Sequence, residues 1–285
     1  MAHFRIRNES YRFTWLDRID YCFCMARERL DVWVCSGCSK LHRVSYEDIP
    51  RTLVEGITGS CRFFGLLQNI SGDLCHDGSR LFYIHEAHVQ LALKYTRLQD
   101  RLNDLQRAYL RTLLLDRTKR LTERYGSPTS STGVYCTIKI LVPRGHFLLH
   151  IEYWQQHAAA SAAEWHQKVI DSSCMHQSDT ATKFAMLPGG MPGRTDRSMD
   201  EQCGSCRHCA TDVSVLTGRV TGRTFVRIWK DLGTEVPQTH PEWMGRIATM
   251  FRHPSEYGSA RALYEATIGG KTPQTGHHAV TAQPE

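Results

Sequence analysis

Closely spaced cysteines are the residues of this sequence whose types and spacing most clearly predict chemistry. The chain of 285 residues has 11 cysteines, and three pairs follow the C-x-x-C spacing, namely Cys35/Cys38, Cys203/Cys206 and Cys206/Cys209. A random distribution would give about 0.4 such pairs. C-x-x-C in a tight turn brings two thiolates to one point, and zinc prefers four soft or borderline ligands in a tetrahedron. The spacing therefore predicts zinc binding.

The C-terminal cysteine cluster is predicted to bind zinc together with two ligands further upstream. Cys174 and His176 offer one thiol and one imidazole, whereas Cys206 and Cys209 offer two thiols. Two ligands from each arm complete a tetrahedral site, so we predict this set, with Cys203 in reserve. The alternative is that these residues are ordinary reduced thiols.

The N-terminal cluster, Cys35 and Cys38, needs two more ligands to complete a zinc site. The candidates in sequence order are His42, Cys61, Cys75 and His76. We predict Cys61 and Cys75, which would give a four-thiolate site, and keep both histidines in reserve; the alternative is partially buried structural cysteines. A closed four-ligand site stabilises folding by on the order of 10 kcal/mol and leaves no coordination position open for catalysis.

Two patterns come close to enzyme signatures and fail. His85 and His88 flank a glutamate as in metalloproteases, but that motif needs its histidines four residues apart, and these are three apart. The His150-Ile151-Glu152 segment followed by C-x-x-C resembles the zinc deaminases, but Gln202 stands where their proline is expected. We interpret His150 and Glu152 as packed positions of a strand.

Charge and apolar content exclude several classes of protein. The net charge is +6, no apolar run approaches the roughly 18 to 20 residues that span a bilayer, and the N-terminal residues contain no signal-peptide core. We therefore expect an intracellular protein, cytoplasmic or nuclear, with reduced thiols and no membrane partner. The densest basic cluster is Arg111, Arg117, Lys119, Arg120 and Arg124. On a helix end these charges complement the helix dipole, so we do not expect nucleic-acid binding.

The elements that must position the ligands follow from hydrophobic periodicity. Apolar residues at steps of three and four predict helices over 11–30, 86–121, 158–169 and 259–267, the second being a long central helix. Alternating β-branched and aromatic residues predict antiparallel strand pairs, 134–142 with 147–154 and 213–216 with 224–230. Turn-forming residues predict a flexible connector over 126–133 and an exposed loop over 187–202.

Four short motifs resemble landmarks of the uncharacterised fungal F-box domain-containing protein family. They are Val34-Cys35-Ser36-Gly37-Cys38-Ser39-Lys40-Leu41-His42, His88-Val89-Gln90-Leu91-Ala92-Leu93-Lys94-Tyr95, Cys206-Arg207-His208-Cys209-Ala210-Thr211-Asp212-Val213 and Trp229-Lys230-Asp231-Leu232-Gly233. The resemblance spans residues 15–264 and corresponds to the region that follows the F-box. It implies no activity for any residue, because that shared region has none assigned.

The F-box itself is not visible in this sequence. In the family it is a helical N-terminal module that usually opens with a Leu-Pro pair and docks the chain to the adaptor subunit of a cullin-type ubiquitin ligase, whereas the first proline here is Pro50. We therefore expect the chain to lack it and not to bind the adaptor, which leaves the substrate-side region. Ala210 also departs from the proline that the family pattern leads us to expect.

Together these observations predict an α+β fold with a long central helix, antiparallel strand pairs and one or two zinc-knuckle-like cysteine clusters. We expect one composite domain over 1–270 and a disordered tail over 271–285. The predicted function is a protein-binding or scaffold module with one or two structural zinc ions and no catalytic activity. The alternatives are a zinc-containing nucleic-acid-binding protein and a divergent zinc hydrolase or deaminase.

Overall fold

The protein combines α helices with antiparallel β sheets, as the sequence predicts. The computed structural model describes residues 14–35, 38–47, 84, 86–115, 117–122, 133–156, 169–170, 173, 187–188, 199–206, 209–218, 223–235 and 259–269. Within these ranges the α helices are α1 (Trp15–Ala26), α2 (Glu86–Arg97), α3 (Asp104–Leu114) and α4 (Ser259–Ile268). None of the described helices combines the length and the apolar character needed to cross a membrane.

The predicted long central helix is wrong, because residues 86–121 form α2, a 3-10 turn (Gln99–Arg101), α3 and a strand. Asn103 starts α3 with a capping box, in which its side chain accepts from Gln106 N at 2.9 Å and the Gln106 side chain accepts from Asn103 N at 3.0 Å. This reciprocal pair stabilises a new helix start inside the apolar stripe. Leu105, an apolar residue within the segment 86–121 that was predicted to be one helix, is 56% exposed.

A small hairpin carries the N-terminal cysteines. Strands β1 (Val32–Cys35) and β2 (Lys40–Arg43) pair antiparallel, with Trp33 opposite His42 and Cys35 opposite Lys40. Helix α1 packs against this hairpin through Ala26, which is buried together with residues of β1. A capping box between Thr14 and Asp17 begins α1.

Seven further strands form one antiparallel sheet. They are β3 (Arg117–Thr122), β4 (Gly133–Leu141), β5 (Leu148–Gln156), β6 (Leu187–Pro188), β7 (Met199–Ser205), β8 (Thr211–Gly218) and β9 (Arg223–Asp231), in the spatial order β3-β4-β5-β9-β8-β7-β6. Both predicted strand pairs are confirmed as β4 with β5 and β8 with β9. The turn between β4 and β5 contains Arg144 and Gly145, both at positive φ, of 50° and 78°.

The two faces of the sheet differ in what covers them. One face packs with α2 and α3 into the main hydrophobic core, to which alternate strand residues contribute, among them Cys136, Ile138, Leu149, Ile151, Val226 and Ile228. The other face meets α4, where Ala260 and Tyr264 are buried with Leu148 and Trp229. This alternation is the period-two pattern from which the strands were predicted.

Some predicted segments fall partly or wholly outside the described residues. The connector is described only at Gly133, which begins β4, and the helix over 158–169 only at its last residue. The expected loop over 187–202 begins with β6 and ends within β7, and residues 189–198 between them are not described. The tail over 271–285 also lies outside the described residues.

Candidate metal centre

The β1–β2 hairpin brings three metal-ligating side chains together. Cys35 ends β1 and is 3% exposed, Cys38 lies half-buried in the turn, and His42 lies half-buried on β2. The ligand atoms of these three residues all lie within 4.8 Å of one another. The cluster could therefore hold a metal ion.

The spacing of these atoms fits a tetrahedral metal with soft ligands. Cys38 Sγ and His42 Nε2 are 3.1 Å apart. With metal–sulfur bonds of about 2.3 Å, neighbouring sulfurs of a tetrahedral zinc site lie about 3.8 Å apart, and a sulfur–nitrogen pair slightly less. A small adjustment of the Cys38 and His42 side chains would place an ion between them.

Two features prepare His42 for metal binding. Its ring stacks on Trp33, its cross-strand partner, with centroids 5.0 Å apart and planes 25° from parallel. Burial, and secondarily the charge of Lys40, lowers the pKa of His42 below its usual value. A lowered pKa keeps the imidazole neutral at physiological pH, which is the form that binds a metal.

Helix α2 holds the outer edge of β1 with a row of polar side chains. Gln90 accepts from Val34 N at 3.0 Å and donates to Val34 O at 2.8 Å, while Lys94 Nζ donates to Val32 O at 2.8 Å. Glu86 Oε1 accepts from Gln90 Nε2 at 2.7 Å. Because Glu86, Gln90 and Lys94 are spaced four residues apart, they share one helix face. Gln90 and Lys94 replace the hydrogen bonds that a neighbouring strand would make, and Glu86 accepts from Gln90.

The lysine of this row remains a donor despite its burial. Lys94 is 2% exposed, and burial lowers its pKa to about 8. Its ammonium group donates to the carbonyl oxygens of Val32 and Arg29, and Tyr95 donates to Leu30 O at 2.7 Å. The backbone leading into β1 is thus fixed at successive points, and these bonds determine where Cys35 lies.

The other side of the hairpin is held by α1 and by the backbone of the turn. Ser39 N donates to Cys35 O at 2.8 Å, and Ser39 adopts a positive φ of 53°. Cys22 on α1 donates through Sγ to Ser39 O at 3.5 Å. Cys22 is half-buried, whereas Cys24, two residues later on α1, is exposed. Cys24 is therefore a thiol of the same chain outside the metal cluster.

The predicted ligand set is placed only in part. Cys35 and Cys38 meet, but Cys61 and Cys75 lie outside the described residues, and so does the reserve His76. The third ligand position is filled by His42, which the sequence analysis held in reserve. The signal that could have favoured it is its position four residues after Cys38. In a tight hairpin this position lies on the returning strand, two residues beyond the partner of Cys35 and on the same face.

The C-terminal cluster forms a similar turn between β7 and β8. Cys206 is 3% exposed, and its N donates to Thr211 O at 2.8 Å, while Thr211 N donates to Cys209 O at 2.7 Å. Cys209 Sγ lies 3.2 Å from Thr211 Oγ1. The proposed partners Cys174 and His176 lie outside the described residues. Of the four predicted ligands, the structure therefore describes only Cys206 and Cys209, which lie on this hairpin turn.

Cys203, the reserve ligand, points to a different environment from Cys206. Its Sγ accepts from Arg261 Nη1 on α4 at 3.0 Å, whereas Cys206 belongs to the main core on the opposite face of the sheet. Arg261 also donates to Glu265 and lies over the Trp229 ring, 4.9 Å from its centroid. Cys203 thus takes part in docking α4 and does not join Cys206. Sequence reasoning missed this contact, which depends on residues 58 positions apart.

His150 and Glu152, the residues that resemble a deaminase motif, are both engaged in sheet packing. The His150 ring lies 5.3 Å from Trp229 and 4.7 Å from Tyr264, and burial lowers its pKa to about 4. Glu152 accepts from Arg227 Nε at 2.6 Å. Both positions belong to β5, as the sequence analysis expected.

Comparison with protein-family models, with curated proteins and with solved structures found no match.

Proposed function

We propose that this protein is a binding or scaffold module without catalytic activity, stabilised by a structural zinc ion on Cys35, Cys38 and His42. The observation that carries the proposal is the convergence of two thiols and one imidazole within 4.8 Å on a hairpin whose backbone is bound on both sides. Zinc is the metal that this donor set favours, since thiolates and imidazole are its usual structural ligands. The fourth ligand is predicted to be Cys61 or Cys75.

Metal analysis of the purified chain tests the zinc proposal. We expect at least one equivalent of zinc, and a tetrahedral cobalt spectrum with thiolate charge-transfer bands after exchange. Cys38→Ser should lose the ion from the N-terminal site, whereas Cys24→Ser should retain it, because Cys24 is an exposed thiol on α1. A chain that purifies without zinc and does not take up cobalt would refute the proposal.

The fourth ligand separates a structural site from a catalytic one. A closed site has four protein ligands, whereas a catalytic zinc keeps a position for water. We expect Cys61→Ser or Cys75→Ser to weaken the thiolate charge-transfer bands of the cobalt form. If neither variant changes them and the spectrum reports a bound water, the divergent zinc hydrolase becomes the better proposal.

The partner is proposed to be a protein. What supports this is the resemblance of the hairpin, α2 and β8–β9 motifs to the F-box protein family, in which the region after the F-box is on the substrate side. Affinity purification from the native cell, followed by identification of bound proteins, tests it. We expect specific partners that do not include the ligase adaptor, and recovery of the adaptor in stoichiometric amount would contradict this expectation.

A further inference from the structure

The two edges of the small hairpin differ in what they bond to. Strands β1 and β2 form a two-stranded sheet, so each strand has one side that faces away from the other strand. On β1 that side is bonded to α2, because Gln90 bonds to both backbone groups of Val34 and Lys94 donates to Val32 O. A two-stranded hairpin alone is marginally stable, and here α2 supports its β1 edge.

The register shows which backbone groups of β2 point away from β1. In an antiparallel pair, directly opposed residues alternate between pairs that exchange hydrogen bonds and pairs whose N–H and C=O groups point outward. Val32 and Val34 bond outward to α2, so their partners on β2 also direct their backbone groups outward, on the opposite edge. These partners are Arg43 and Leu41, and in the part of the chain that the structure describes neither makes a hydrogen bond there. We call this side of β2 the open edge.

An edge with unpaired backbone groups is a template for a further strand. An extended peptide that adds to such an edge gains main-chain hydrogen bonds, and its alternate side chains contact the two faces of the sheet. On one face of this hairpin α1 packs with Leu41, and on the other face lie His42 and Trp33. The side chains of an added strand would therefore extend toward α1 on one face and toward the metal cluster on the other.

The charges of β2 indicate which kind of strand fits the open edge. Lys40 and Arg43, the first and last residues of β2, are both exposed, and β2 contains no acidic residue. Within the described ranges neither of the two makes an ion pair, and Asp31, whose carboxylate senses the charge of Arg43, is paired with Arg29 at 3.2 Å. Because Lys40 and Arg43 are three positions apart, their side chains lie on opposite faces of the hairpin. Acidic residues three positions apart on an added strand would meet one cation on each face, and such opposite charges stabilise strand pairing.

The same charges disfavour a second copy of the chain on the open edge. Two copies of β2 joined edge to edge would bring Lys40 and Arg43 of both strands onto one short ribbon that has no acidic residue. Lysine and other charges on an edge strand are a common protection against such pairing between copies. An acidic strand from a different protein turns this repulsion into attraction.

We propose that the open edge of β2 binds an extended, acidic segment of a partner protein by β-strand addition. The inference deepens the proposed function and rests on it, because the partner is a protein there too. It also connects the metal cluster with binding, since His42 lies on β2 and Cys38 lies in the turn before it. A zinc ion on these residues would hold the strand to which the segment adds, so removal of zinc should weaken binding.

Hydrogen exchange in the full chain tests whether the edge is open. In the free protein the amides of Leu41 and Arg43 should exchange rapidly, whereas the Val34 amide, which donates to Gln90 at 3.0 Å, should be protected. Protection of the Leu41 and Arg43 amides in the free protein would show that another segment already occupies the edge, and would overturn the inference.

Peptides selected on the purified full chain from a random library displayed on phage are the probe for binding. We expect β-branched sequences with acidic residues three positions apart, which on binding protect the Leu41 and Arg43 amides. Arg43→Pro removes an outward N–H, a change that an edge strand tolerates, whereas the matched control Arg43→Gln removes the same charge and keeps the N–H. In fluorescence anisotropy Arg43→Pro should bind a selected peptide about tenfold more weakly than Arg43→Gln does.

N-methylation of the peptide backbone gives a second measurement that does not depend on any variant of the chain. Methyl groups on alternate residues should abolish binding in one of the two possible sets and leave it in the other, because only one side of an added strand faces β2. If Arg43→Pro does not fold in thermal unfolding, the methylated peptides still decide the outcome.

Three further results would overturn the inference. They are failure to select any peptide; equal binding by the proline and glutamine variants with peptides that tolerate both methylation sets; and dimerisation of the chain that Arg43→Pro abolishes, which would assign the edge to a second copy. A chain without zinc that binds peptides on this edge would refute the zinc proposal alone. A zinc-loaded chain that selects none would refute the inference and leave the zinc proposal standing.

Discussion

Replacement of Gln90 by leucine tests whether α2 positions the metal-binding hairpin. Gln90 is 5% exposed and makes two hydrogen bonds to the backbone of Val34, which is itself fully buried. Leucine fills a similar volume and can make neither bond. The variant therefore isolates the hydrogen bonds from the packing.

The magnitude follows from the groups that lose their partners. Gln90→Leu leaves one buried N–H and one buried C=O of Val34 unsatisfied, and each costs about 1–3 kcal/mol. It also removes the donor that Gln90 provides to the buried Glu86 carboxylate. The free energy of unfolding should therefore fall by at least about 4 kcal/mol. Because β1 also carries Cys35, zinc affinity should fall at least about tenfold, as for other groups that orient metal ligands.

Urea denaturation of the wild type and the variant, with zinc present and with zinc chelated, measures both effects. Gln99→Leu is the matched control, since Gln99 is exposed on the 3-10 turn, and it should change stability by less than about 0.5 kcal/mol. Hydrogen exchange at the Val34 amide should accelerate in Gln90→Leu only. A loss below about 1 kcal/mol at an unchanged denaturant slope would show that the hydrogen bonds to Val34 do not support the hairpin.

Three further predictions concern other parts of the fold. The pKa of His150 is about 4 in the folded chain, against an ordinary value of 6.5. The free energy of unfolding should therefore fall by about 3 kcal/mol in total as the pH falls from 6.5 to 4. Acid unfolding curves of His150→Phe should lack this loss. Arg261→Ala should lower the free energy of unfolding by about 3 kcal/mol, because it removes the ion-pair partner of the largely buried Glu201. Arg107→Ala, which breaks an exposed ion pair with Asp104, should change it by almost nothing. Urea titrations measure both values. Ser39→Gly should raise the free energy of unfolding by about 1 kcal/mol because it relieves a positive φ, so its melting temperature should be higher than that of the wild type. A lower melting temperature would contradict this reasoning.

Much of the sheet could be predicted because alternation is a local property of the sequence. Residues 134–142 and 147–154 alternate between apolar and polar types, and a four-residue turn separates them, so both the strands and their antiparallel pairing follow. The order of the sheet does not follow, because β5 pairs with β9 across a long stretch of sequence. Such long-range pairing depends on the fit of whole faces, which no short pattern contains.

The helical region was harder to predict because two patterns competed there. The stripe from Leu91 to Leu113 has regular helical spacing, but Asn103 and Gln106 within it form a capping box that starts a second helix. A capping pair inside a periodic stripe is a signal for a break. Residues 117–122 have a basic, β-branched character that fits an edge strand as well as a helix end, and only their pairing with β4 decides between them.

The candidate site shows a similar division between what is local and what is distant. The C-x-x-C pair and the histidine four residues later are visible in the sequence, whereas the row of Glu86, Gln90 and Lys94 that holds β1 lies more than fifty residues away. Its signal is a polar residue at every fourth position of a helix whose residues 86–95 are all buried. Polar residues buried in such a pattern need partners, and here the partner is a strand edge.

The two cysteine hairpins differ in how many ligands each can supply locally. In both, the first cysteine of the turn pair is 3% exposed and belongs to the main core, and the second is half-buried. Four residues after Cys38 the chain offers His42, but four residues after Cys209 it offers Val213, a buried core residue. The N-terminal hairpin therefore brings three ligands together as soon as it forms. The C-terminal turn supplies two ligands and needs two more from distant residues, which we predict to be Cys174 and His176. If one equivalent of zinc is found, it should be lost in Cys38→Ser and retained in Cys209→Ser; if two are found, each substitution should remove one.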